Sequence, residues 1–205
     1  MRTISLASVA LFVIAGALAV PKSAWALGPV DLEIAARGGG AFLANEPAGA
    51  PNPLGFGLGG RAGVDIFTSY YVGVTGMYYF GATASSNTDD ISTHAVQYGV
   101  DVGYNIYLFK LIGLPDTIGK LLDLRPQLGI GNLTISESQG LVAPGSPGLS
   151  TPSQDVSNLY LEPGLVGLIS VGWFLAGADV NALWIPKESG PNAGLTAHIQ
   201  LGIKL

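Results

Sequence analysis

Cysteine is absent from the 205 residues, which removes disulfides, thiolate metal sites and cysteine nucleophiles from any account of this chain. Charge is scarce too, since Asp, Glu, Lys and Arg make up 11% of the sequence where a soluble domain carries about 25%. Basic residues number 9 against 14 acidic ones, so nothing here is basic enough to bind nucleic acid. Long hydrophobic runs are missing beyond the N-terminal segment, which excludes a bundle of membrane-crossing helices. Yet 48% of the residues are hydrophobic and the mean hydropathy is +0.44, too apolar for an ordinary domain in water. The 30 glycines and 13 prolines follow neither a collagen nor a linker period.

Residues 1–26 have the layout of a secretory signal peptide. Arg2 gives a positive start, Ile4 to Val20 form an uncharged apolar stretch, and Ala24-Trp25-Ala26 supplies a small-x-small cleavage site. The mature chain is expected to begin at Leu27, so that residues 27–205 form one domain; an uncleaved N-terminal anchor is the alternative. Loss of Arg2 and Lys22 takes the basic count from 9 to 7 against 14 acids, a net charge of about −7.

From His94 to Leu108, the residues Val96, Tyr98, Val100, Val102, Tyr104, Ile106 and Leu108 alternate with Gln97, Gly99, Asp101, Gly103, Asn105 and Tyr107. Leu195 to Leu205 repeats the pattern, and a soluble strand is about half as long. Asp31 to Phe42, Gly55 to Phe67, Tyr70 to Phe80, Leu124 to Ile135, Asn158 to Ser170 and Trp173 to Trp184 read the same way, which makes eight strands. Their connections alternate. Thr68-Ser69 and Val171-Gly172 are tight, while Leu43 to Leu54, Gly81 to Thr93, Ser136 to Ser157 and Ile185 to Asn192 are long and polar. Short turns on one side and long loops on the other predict an all-β, eight-stranded antiparallel up-and-down transmembrane barrel. The connection from Phe109 to Asp123 breaks the rule by its length. Asp116 after Pro115 suits the cap of a short periplasmic helix carrying Ile118, Leu121 and Leu122 at the membrane interface, the alternative being a longer hairpin.

Parity sorts the charges. Asp31, Glu33, Arg37, Arg61, Asp65, Asp101, Arg125, Glu162, Asp179 and Lys204 all fall on the face opposite the aliphatic set of their own strand. A charge facing lipid at mid-depth costs about 2–4 kcal/mol, so the segregation is what a bilayer requires, although a soluble sandwich with the aliphatic face inside would give the same parity. The aromatics separate the two. Phe42, Phe56, Tyr78, Phe80 and Trp184 fall near one end of the strands, and Phe67, Tyr70, Tyr71, Tyr104, Phe109, Trp173 and Phe174 near the other, as two interfacial girdles.

With this signal, strand count, loop asymmetry and closing run Leu195 to Leu205, the whole mature chain resembles the small outer-membrane barrels of Gram-negative bacteria, the class that includes the transmembrane domain of OmpA. The resemblance implies an outer-membrane location, outer-membrane lipid as partner and a C-terminal strand read by the barrel assembly machinery. Such signals commonly end in an aromatic residue; here the last residue is Leu205.

An eight-stranded barrel is just wide enough for inward side chains to fill it. Glu33, Arg37, Arg61, Asp65, Asp101, Arg125, Glu162, Asp179 and Lys204 are therefore expected to form a lumen charge network, with acids and bases in near balance. Glu33 and Lys204 should meet at the closing seam within salt-bridge range, with Arg37 and Arg61 one level higher facing Asp65 or Asp101. The reading is a structural or envelope-interaction barrel without cofactor, metal or catalytic residues and with a largely plugged lumen. Inward Gly57, Gly59, Gly63, Gly73, Gly99 and Gly103 leave space for water, which keeps a narrow solute channel as the alternative. A second alternative is a lipid-modifying enzyme built on His94 beside Ser92 and Thr93, with Asp89 and Asp90 nearby; a solvated loop histidine is the plainer reading. His198, between Thr196 and Gln200, reads as a hydrogen-bonded lumen residue.

Overall fold

A computed structural model describes residues 30–44, 52–81, 83–85, 89–113, 115, 120–141, 149–150, 154–186 and 192–205. The signal segment, Asp116 and Ile118 lie outside the described residues.

Period-two alternation becomes strand throughout. In chain order the elements are β1 (Val30–Leu43), β2 (Phe56–Ile66), β3 (Tyr70–Phe80), β4 (Thr83–Ser85), β5 (Asp89–Tyr104), β6 (Ile106–Tyr107), α1 (Leu108–Leu111), β7 (Leu122–Leu141), β8 (Leu149–Ser150), β9 (Gln154–Val171), β10 (Phe174–Ile185) and β11 (Asn192–Lys204). Eight long strands pair antiparallel with their chain neighbours, and β11 pairs β1, so the sheet closes and has no free edge along the barrel. The short strands β4, β6 and β8 only extend it. Stepping from partner to partner, Gly167 leads through Ala178, Ile199, Gly38, Leu58, Tyr78, Val96 and Thr134 back to β9 at Ser157. The offset between Gly167 and Ser157 is the stagger that tilts the strands of a closed barrel. It also lifts Thr134 and Ser157 to the outer end of the wall.

The apolar parity faces outward. Val72, Val100, Ile130, Leu165, Val180 and Ile199 stay exposed, while Arg61, Asp65, Asp101, Glu162 and Asp179 on the other parity are buried. A soluble sandwich has the reverse arrangement. Phe42, Phe56, Tyr78, Phe80 and Trp184 ring one end and Phe67, Tyr70, Tyr104, Trp173 and Phe174 the other, all exposed. Tyr71 departs from the expected girdle: its parity is that of Gly73 and Thr75, and it lies inside at 1% exposure.

Two further expectations are corrected. The polar stretch after Ile135 continues as strand to Leu141, and β9 begins at Gln154, because β5, β7 and β9 keep pairing above the rim. Among the described residues the long connection holds α1, four residues placed before Asp116, and Leu122 is the first residue of β7, paired with Ile169. Leu122-Asp123-Leu124 continues the β7 alternation, so the ladder takes these residues from any helix. The tight turn after β2 holds Phe67 and Thr68 at φ 53° and 62°, a conformation costly for side chains with a Cβ. Asn105 and Tyr107 clamp it by donating to the Thr68 carbonyl at 3.3 and 2.7 Å.

The lumen as candidate functional site

Inward positions of seven of the eight long strands carry the predicted charges, most of which gather into two tiers. In the lower tier, near the short turns, Arg125 donates to both carboxylate oxygens of Glu33 at 3.2 and 2.8 Å. Its Nη2 is 3.4 Å from Asp65 Oδ1, and its Nε donates to Asn105 Oδ1 at 2.5 Å. Arg61 Nε lies 3.5 Å from Glu33 and donates to the Tyr71 hydroxyl at 3.1 Å. The Tyr71 ring carries both guanidiniums, with Arg61 Cζ at 4.4 Å and Arg125 Cζ at 4.0 Å from its centroid, a cation–π pair strengthened by desolvation. Lys204 Nζ donates to Asp65 and stands 4.0 Å from Asp31.

In the upper tier Arg37 donates to Asp179 Oδ1 at 2.8 Å and to Thr75 Oγ1 at 2.7 Å. His198 Nδ1 is 2.9 Å from the same Asp179 oxygen, and its Nε2 is 3.0 Å from the Tyr79 hydroxyl. From Tyr79 the bonds run to Gln97, from Gln97 to Glu162, and from Thr196 to the other Glu162 oxygen. Asn181 donates to Thr196 and Asp179 and closes the circuit. Seven side chains from five strands thus form a hydrogen-bonded ring across the lumen, in which Arg37, His198 and Asn181 converge on one oxygen of Asp179.

Seven of the nine predicted network residues enter ion pairs within these tiers. Asp101 and Glu162 do not: they flank Gly129 on one sheet row and have no ion-pair partner within 4 Å among the described residues. The expected pairings are corrected as well. Arg37 turns to Asp179 rather than Asp65 or Asp101, because β10 lies one strand beyond β11 on its own side of the lumen. Arg61 turns to Glu33 on the adjoining β1.

The inward glycines are niches for large side chains rather than open space. A Cβ on Gly63 or Gly73 would strike Tyr71, on Gly57 Tyr79, on Gly59 Met77, on Gly99 Tyr160 and on Gly103 Arg125. Tyr79, Met77 and Arg125 each lie over a glycine of the neighbouring strand, Tyr71 over one on β2 and one on its own β3, and Tyr160 on β9 over one on β5, two strands away. Sequence reasoning missed these partners: Tyr71, Tyr79, Gln97, Asn105, Tyr160, Asn181 and Thr196 are all nearly fully buried. Their inward parity was the available signal. It also missed that the outer end of the lumen is apolar, with Leu43, Leu54, Met77, Leu133, Leu183 and Ile185 buried together.

His94 is not assembled with its sequence neighbours. Alternation sends Thr93 inward, where its hydroxyl donates to the Asn52 carbonyl, and sends His94 outward, stacked on Tyr78 with 5.7 Å between ring centroids. The side chains of Asp89 and Asp90 are outside the described residues.

A closed eight-stranded up-and-down barrel with charges inside and an apolar wall between two aromatic girdles is the fold of the small outer-membrane β-barrels. No protein-family model matches the chain, and no curated protein sequence matches it. Solved structures do. A major outer membrane protein from Thermus thermophilus superposes with a TM-score of 0.59 at 10% identity, over 86% of this chain and 100% of that one. Ail, the attachment invasion locus protein of Yersinia pestis, superposes with a TM-score of 0.50 at 15% identity, over 86% of this chain and 97% of the other. At such identity the likeness is one of fold.

Proposed function

We propose that the chain is an outer-membrane β-barrel protein of a Gram-negative cell with a structural or envelope-interaction role, its lumen closed to solutes by its own side chains. The observation that carries this reading is Arg125, which at 0% exposure lies inside the barrel bonded to Glu33, Asp65 and Asn105 from three other parts of the wall. Opening a passage would break these bonds and leave buried charges unpaired, at about 3–5 kcal/mol for each broken pair. The exposed apolar belt supports membrane lipid as the partner of the wall. The seam position of β11 supports the barrel assembly machinery as its partner during insertion.

Catalysis is not part of this reading, since His94 has no hydroxyl or carboxylate partner among the described residues and His198 is enclosed at 3% exposure. Purified protein in a planar bilayer is expected to give no stable single-channel current. Large stable currents would overturn the closed lumen, and a mature chain soluble in the periplasm without detergent would overturn the membrane location. Lipid acyl transfer or hydrolysis that vanishes in His94→Ala would restore the enzyme alternative.

A further inference from the structure

Five of the six large aliphatic side chains at the outer end of the lumen come from the wall: Leu43 from β1, Met77 from β3, Leu133 from β7, and Leu183 and Ile185 from β10. The sixth, Leu54, belongs to no strand, yet it is 0% exposed. It reaches the lumen because the chain turns off the wall just before β2. Gly55 makes the turn at φ +42°, and a Cβ there would meet the Phe80 carbonyl oxygen at 2.6 Å. Its own carbonyl accepts the Ala41 N–H at 2.9 Å, the last ladder-like bond before the chain leaves.

The hold on the inserted piece is slight compared with a strand. Asn52 Oδ1 accepts the Leu54 N–H at 2.9 Å, which shapes the turn locally. Among the described residues two side-chain bonds tie it to the wall, from Asn52 Nδ2 to the Ala41 carbonyl and from Thr93 Oγ1 to the Asn52 carbonyl, both stretched to 3.4 Å. Directly under the aliphatic layer lies the polar ring, with Tyr79 belonging to both.

We propose that Asn52–Leu54 is a hinged stopper. Leu54 seals the outer end of the lumen, Gly55 is the hinge, and displacement of the segment opens the Asp179–His198–Tyr79 line to water from outside. The proposal rests on the reading of a closed lumen and adds the element that closes its outer end. Burial of Leu54 favours the closed state, whereas bonds of 3.4 Å make local opening far easier than separation of wall strands joined by a continuous ladder.

The absence of cysteine lets a single introduced thiol report access. Ala95 is fully buried, pairs with Tyr79 and belongs to the aliphatic layer. In cells carrying the full chain, Ala95→Cys alone is expected to resist a membrane-impermeant maleimide added outside. Adding Asn52→Ala or Leu54→Ser should raise the labelling rate about tenfold, as a shift of a local opening equilibrium, while heat-modifiable migration is retained. Rapid labelling of Ala95→Cys alone overturns the stopper, and so does unchanged protection in the folded double variants. Should Leu54→Ser fail to fold, Asn52→Ala decides alone, because it removes no buried apolar atom. Single-channel current from the unmodified chain would instead overturn the closed lumen, so the two failures are distinguishable.

Discussion

Glu33 and Lys204 stand directly opposite each other across the seam that closes the barrel, yet each side chain takes a different partner. Glu33 turns inward, where Arg125 occupies both its oxygens, while Lys204 bonds Asp65 on β2. Register alone does not choose partners inside a narrow barrel. Arg125 offers a planar fork that matches a carboxylate, and Lys204 offers a flexible point charge that reaches past its neighbour.

The two residues should therefore differ in what their removal costs. Glu33→Gln strips a fully buried guanidinium of its main counter-charge and is expected to cost about 3–5 kcal/mol. Lys204→Met leaves Asp65 still bonded by Asn105 and near Arg125, so a loss of about 1 kcal/mol is expected. Equilibrium urea unfolding in lipid vesicles measures both. Equal losses would mean that the lower tier does not centre on Glu33.

Alternation along each strand told which residues face inward, and with that the barrel, the seam pairing of β1 with β11 and the inward charges were legible. Partner choice was not. It depends on side-chain reach across the lumen, as when Arg37 passes β11 to meet Asp179, and no local pattern encodes which strands lie close across the interior. Strand ends were legible only where apolar residues stopped. Ser136 to Leu141 are polar or small for the most part and still pair, because above the rim the ladder no longer needs lipid on one face. Tyr71 was misread because its neighbour Tyr70 does belong to the girdle, and one residue of shift in a strand changes the face.

Glycine positions can be tested against each other. A methyl on Gly63 would meet the Tyr71 ring, which cannot retreat because Arg61 and Arg125 hold it on its face. On outward Gly76 the nearest atom is the Gln97 carbonyl oxygen at 4.0 Å, so the methyl fits. Gly63→Ala is expected to destabilise by about 1–3 kcal/mol through overpacking and Gly76→Ala to stay within about 0.5 kcal/mol. The midpoint of urea unfolding reads the contrast, and similar values for both would mean that the niche under Tyr71 is loose.

The strained turn predicts a gain. Thr68 is β-branched and held at φ 62°, where a Cβ crowds the backbone, and the contacts that clamp the turn go to its carbonyl rather than its side chain. Thr68→Gly keeps those contacts and removes the strain. An increase in stability of about 1 kcal/mol is expected, less than the full strain because glycine also frees the unfolded chain. A loss of stability in the same unfolding assay would show that the turn does not hold this conformation.

The depth of the wall in the bilayer can be read by placing one charge at two heights. Val100 is exposed on the outward face and pairs with Val74 and Ile130, so apolar neighbours surround it at mid-strand. Ser157 also faces outward, but the stagger of the barrel lifts it to the outer end, where it bonds Thr134 and Asn132. An arginine at the bilayer midplane costs about 2–4 kcal/mol and near the interface about 0–1 kcal/mol. Val100→Arg is therefore expected to lose the larger amount and Ser157→Arg almost nothing in lipid vesicles. In detergent micelles the difference should shrink, because a micelle deforms around a charge more readily than a bilayer does. Equal small losses at both positions in vesicles would mean that Val100 does not face hydrocarbon and that the apolar wall is covered by protein instead.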